Sequence, residues 1–79
     1  MSTDTAIDVN ATAIAANLEV LHLMLMDAAQ RSAEARELMQ RGERNGAIGT
    51  ALGLDVVLDN ATAQYIAAVA LHGIRPVLK

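Results

Sequence analysis

GAIGTALGLDVVLDNATAQYIAAVALHGI, running from Gly46 to Ile74, decides the fold of this chain of 79 residues. It carries only two formal charges, Asp55 and Asp59. At helical spacing it offers two apolar series. The first is Ala47, Ala51, Leu54, Leu58, Ala61, Tyr65, Ala68 and His72. The second is Gly46, Gly49, Gly53, Val56, Asn60, Ala63, Ala67, Ala70 and Ile74, almost all of them small. Both step by alternating threes and fours, the period of packed helices. At about 100° per residue the two series lie roughly 160° apart. A helix apolar on opposite sides must be covered on both. One partner helix from the same short chain covers one side, so the other asks for further subunits.

The glycines need a reason of their own. Each costs about 1 kcal/mol against alanine inside a helix. Either they permit very close helix contact, or the segment is a loop and the helix starts near Thr50. Their near-heptad spacing favours the helix. The stretch fits neither the dinucleotide fingerprint nor the phosphate loop, which needs Gly-Lys-Ser/Thr.

Upstream, a first helix is expected from about residue 6 to Arg41. Thr5 with Asp8 fits a capping box, and Asn10 competes as N-cap. Its seam is Ile7, Ala11, Ile14, Leu18, Leu21, Leu25, Ala28, Ser32, Ala35 and Met39. Leu23 and Met26 fall off that seam and would be exposed on a simple hairpin. Asp27 with Arg31 and Glu37 with Arg41 are favourable i,i+4 pairs. Gly42 is the expected helix stop. Residues 42–46 form the expected turn, with Asn45 as a cap, and the second helix runs from about 47 to 73. Arg75-Pro76 ends it. Folding back there pairs Leu38 with Ala51, Ala35 with Leu54, Ala28 with Ala61 and Leu21 with Ala68. Large opposes small or small opposes small, as a tight antiparallel pair requires.

The bulk composition agrees with a single all-α domain over 1–79. Hydrophobic residues make up 53% of the chain, yet Tyr65 is the one aromatic. A chain below roughly 80 residues rarely stabilises itself on one core. No cysteine is present, so disulfides and thiolate metal sites are excluded. Oligomerisation remains. A net charge of −3 gives no electrostatic case for nucleic acid or an anionic membrane. Arg31, Arg36, Arg41 and Arg44 are interleaved with Glu34, Glu37 and Glu43, the pattern of a solvated face rather than a nucleic-acid site. Met1–Asn10 has no basic residue and no apolar core, so it does not read as a signal peptide. Asp55 and Asp59 interrupt the best apolar run, which argues against a membrane span. A cytoplasmic location is expected.

No catalytic constellation is visible. Ser2 and Ser32 have no adjacent histidine, and His22 and His72 are far apart in sequence. No enzyme activity, metal or cofactor is expected. His22 and His72 lie among apolar residues, where a partly buried histidine is the ordinary reading and a proton switch the sharper one. Asp55 and Asp59 read as a solvated stripe, or as carboxylates that assembly crowds into acid sensitivity.

Asn10-Ala-Thr-Ala13 recurs as Asn60-Ala-Thr-Ala63, followed by Ile-Ala-Ala at once in the first case and after Gln64-Tyr65 in the second. Val9-Asn10, then Ile14, Ala16 and Asn17-Leu-Glu-Val-Leu21, resembles the opening of the R-body structural proteins, the killing-trait family. Ala51-Leu-Gly-Leu54 and Asn60-Ala-Thr-Ala-Gln64 resemble that family's second half. The charged segment Arg31–Arg44 and the single Gln64, in place of a glutamine run, depart from its pattern. The resemblance implies a small helical subunit that polymerises into a ribbon, coiled in the bacterial cytoplasm and unrolling on acidification in known cases. The expected partner is the chain itself, with related small helical subunits besides. The expected assembly residues are Leu23, Met26, Gly46, Gly49, Gly53, Val56, Ala63, Ala67 and Ala70. The alternative is a closed dimer, a four-helix bundle serving as a regulatory or RNA-binding adaptor.

Overall fold

The computed structural model describes the backbone of residues 2–73 and the side chains of residues 9–73. It is an all-α antiparallel hairpin. Helix α1 spans Ser2–Gln40, α2 spans Arg44–Ala51 and α3 spans Leu54–Leu71. The 39 residues of α1 run the full length of the molecule. α2 and α3 return along it as one bent helix.

The turn is shorter than the sequence suggests. Only Arg41, Gly42 and Glu43 separate α1 from α2. Gly42 adopts φ 80°, a left-handed conformation that glycine takes without steric cost. The Gly42 N–H donates to the Met39 carbonyl at 3.0 Å, and the Glu43 N–H to the Leu38 carbonyl at 2.8 Å. Together they make a Schellman motif, which satisfies the carbonyls left over at the end of α1. The expected stop at Gly42 is therefore present, but Asn45 is not the cap. Glu43 occupies that position and makes no side-chain cap hydrogen bond. Nor does Arg41 pair with Glu37. Its Nε lies 3.2 Å from Glu43 Oε2, because the turn brings that carboxylate round to it. The Asp27–Arg31 pair forms as expected, at 3.2 Å. At the other end α1 runs unbroken through Thr5, Asp8 and Asn10, so none of them caps it.

The earlier turn shifts the register. Leu38 meets Gly46, with its Cδ1 at 3.6 Å from where a β-carbon would stand. Arg31 meets Gly53. The expected partners were Ala51 for Leu38 and Leu54 for Ala35. A turn centred about two residues earlier accounts for the whole offset.

The glycine question resolves in two parts. Gly46 and Gly49 are helical, within α2. Gly53 stands at the interruption between α2 and α3. There Leu52 and Gly53 both keep right-handed angles, so the chain bends without looping out. The Val56 N–H donates to Asp55 Oδ1 at 2.9 Å, and the backbone ladder resumes with Val57 N–H to the Gly53 carbonyl at 3.5 Å. Only Gly53 makes a tight contact: a β-carbon there would sit 2.9 Å from the Arg31 guanidinium. Nothing lies within 4 Å of the same point on Gly49. α3 ends at Leu71, and Gly73 takes φ 89°. Ile74 and the Arg75-Pro76 stop lie outside the described residues.

The core is thin. Among the described residues its buried hydrophobic residues are Ala28, Ala47, Ala61 and Ala68, and no large side chain is fully buried. The molecule measures 62 × 27 × 13 Å, with a radius of gyration of 17.5 Å. A compact chain of this length would have about 12 Å. Its accessible surface is 6038 Å², roughly 1,400 Å² more than a compact monomer of its mass exposes.

Candidate assembly surface

The alanines fix which residues can lie inside. On α1 the half-buried and buried positions, apart from Ala13 and Ala33, are Ile14, Asn17, Leu21, Met24, Ala28, Arg31, Ala35 and Leu38. On the returning helix they include Ala47, Thr50, Leu54, Val57, Ala61, Gln64, Ala68 and Leu71. Each series steps plus three, then plus four. The sequence series chose plus four, then plus three, from the same shared residues. Spacing cannot separate the two, because both keep the same average period.

The consequence is large. Leu18, Leu25, Met39, Leu58 and Tyr65, all expected in the seam, are exposed. Asn17, Arg31 and Gln64 take seam positions instead. Of these, Arg31 lays its guanidinium against Gly53 on the neighbouring helix. Gln64 is not fully served there: its Oε1 is shielded from solvent and has no hydrogen-bond partner.

Two helices lying side by side make a thin layer with two broad faces. In an antiparallel pair, residues one step past the seam on each helix share a side. One broad face therefore carries Leu18 and Leu25 of α1 with Leu58 and Tyr65 of α3. Between them is an open hollow of about 300 Å³, lined by Leu21, Leu25, Leu58, Ala61, Thr62 and Tyr65. His22 and His72 stand on this side, and both are exposed. His72 lines a second hollow with Asn10, Ala11, Ile14 and Leu71.

The opposite face carries Gly46, Gly49, Gly53, Val56, Asn60, Ala63, Ala67 and Ala70 from α2 and α3, and Leu23 from α1. The structure thus brings together, on one side, eight of the nine residues expected to mediate assembly. Met26 is the exception. It lies on the outer edge of α1 and is 55% exposed. Toward the turn, this face becomes polar: Asp27, Gln30, Arg31 and Glu34 line a groove with Gly49, Thr50 and Gly53. Asp55 and Asp59 are exposed on the outer edge of α3.

Sequence reasoning thus located one broad face and missed the other. The signal for the second was present as five large apolar residues, but their spacing let them pass for core.

Among the described residues no group of three His, Asp or Glu side chains is placed to hold a metal ion. The region Val9–Gln40 of α1 contains an 18-residue window of mean hydropathy 1.4, none of it buried. Between Val9 and Met26 only Glu19 is charged. By length and composition alone this part of α1 is apolar enough to cross a membrane. Compared with protein-family models, curated proteins and solved structures, the chain matches none.

Proposed function

We propose that the chain is a structural subunit that self-assembles into a polymer through its broad helix faces. The observation that supports this is the exposure of large apolar side chains on both sides of a layer in which, among the described residues, the buried hydrophobic residues are all alanines. Leu23, Leu25, Met26, Val56, Leu58 and Tyr65 are each about half exposed or more. Side chains of this kind gain about 1.5–3 kcal/mol each on full burial. The resemblance to R-body structural proteins supports the ribbon form of such a polymer, in the cytoplasm, and rests on the quoted residues alone.

Sedimentation and electron microscopy of the purified chain test the reading. Growth with concentration into sheets or filaments is the expected result. One small species at every concentration would sink it in favour of the closed dimer, the adaptor architecture.

The residues expected to sense acid divide between two surfaces: His22 and His72 stand on the bulky face and Asp55 and Asp59 on the outer edge of α3, all four exposed.

A second reading is favoured by the apolar window in α1: a helix that associates with lipid bilayers. Flotation with neutral lipid vesicles separates the two. A polymer stays with the protein fraction, whereas a bilayer-associated chain rises with the vesicles.

A further inference from the structure

We propose that copies stack in one direction, the bulky face of one hairpin against the small-residue face of the next. This rests on the self-assembly reading and adds which surfaces meet.

Area is the first argument. The surplus surface of roughly 1,400 Å² compares with about 800 Å² covered on each partner in a standard interface. The hairpin thus has nearly enough excess for two contacts. A closed two-fold dimer uses one patch on each copy and leaves the opposite face wet. A stack covers both.

Shape is the second. Leu18, Leu25, Leu58 and Tyr65 project from one side. On the other, Ala63, Ala67 and Ala70 present almost no side chain, and Gly49 has open space above it. Large groups seat against small ones at close approach, while bulky against bulky holds two layers apart. With α1 over α1, Leu23, 54% exposed on the small face, falls over the Leu18 and Leu25 side of α1 on the next copy.

Charge is the third. Stacking by translation keeps α1 over α1. Helical position puts Arg36 toward the bulky side and Glu34 and Glu37 toward the small side, all three exposed. Successive copies therefore bring opposite charges together. Because the two contacting surfaces differ, each added copy leaves a fresh face, and growth is open-ended.

Two blocked variants test this. Leu58→Asp spoils the bulky face, and Ala67→Asp spoils the small one. Both positions are exposed, so both variants should stay helical by circular dichroism. Each alone is expected to sediment as a monomer. Mixed, they should form a one-to-one pair and grow no further, since one sound bulky face meets one sound small face. A dimer of either variant alone would overturn the stack and indicate like-on-like contact. Monomers in the mixture, or polymers of wild-type size from either variant, would overturn it too. In those cases wild-type polymer would leave the self-assembly reading standing, whereas wild-type monomer would remove both. If either variant loses its helical signal, Tyr65→Lys and Ala70→Lys repeat the test on the same two faces.

Discussion

Ala61→Leu is expected to lower the thermal unfolding midpoint of the protein more than any substitution on its outer faces. Ala61 is 4% exposed and lies in the seam between α3 and α1. Three extra carbons at that point must push the helices apart or drive neighbouring side chains off their rotamers. Overpacking of this kind costs about 1–3 kcal/mol. In a hairpin held by a few alanines, separation also breaks the contacts at Ala28 and Ala68 on either side. The control is Ala63→Leu, two residues away on the exposed small face. It adds the same volume where nothing opposes it within one chain, and the hairpin itself should tolerate it. Circular dichroism melts of both variants, at a concentration low enough to suppress association, make the comparison. Equal midpoints for the two would mean that the alanine seam is not where the helices meet.

The second large effect is on the wild-type chain. Its unfolding midpoint should rise steadily with protein concentration. Association that involves only the folded state stabilises it by mass action. Each tenfold increase in concentration contributes about 1.4 kcal/mol per association step. For a domain this small, each kcal/mol moves the midpoint by roughly 4–8 °C. Scanning calorimetry over a hundredfold range therefore expects a shift of many degrees. One fixed midpoint across that range would mean that association adds nothing to the stability of the hairpin, which would sink the self-assembly reading.

Both expectations come from features that were partly legible in the residues. The hairpin could be read from the charge-poor stretch that begins at Gly46 and from the alternation of threes and fours. Gly42 as a stop could be read from its place after a charged helix end. Ala28, Ala47, Ala61 and Ala68 all appeared in the expected seams, and all are buried. The choice of neighbours beside them was not legible. Leu25 or Met24, Leu58 or Val57, and Tyr65 or Gln64 satisfy the period equally well. Hydrophobicity favours the first of each pair, yet the fold turns it outward. That preference for apolar seams assumes that one chain must bury all it can. A subunit that finishes its packing with other copies is not so bound.

The register was also hidden. Asn45 is the better cap by residue type, but the Schellman geometry at Gly42 closes the turn first and makes Glu43 the entry to α2. Moving the turn by about two residues slid every cross-helix pair by more than a helical turn. The bend at Leu52–Gly53 left no separate mark in the sequence. Glycine there reads equally as a helix residue, a break or a notch. The 2.9 Å approach of Arg31 shows it to be partly the last.

The 13 Å thickness of the layer has one more consequence. No peptide group is more than a side chain away from bulk water. Backbone amides in such a sheet of two rods can exchange their protons through simple local fraying, without waiting for a global opening. Slow deuterium uptake, if found, would therefore report that neighbours have closed over the surface rather than that the chain has folded.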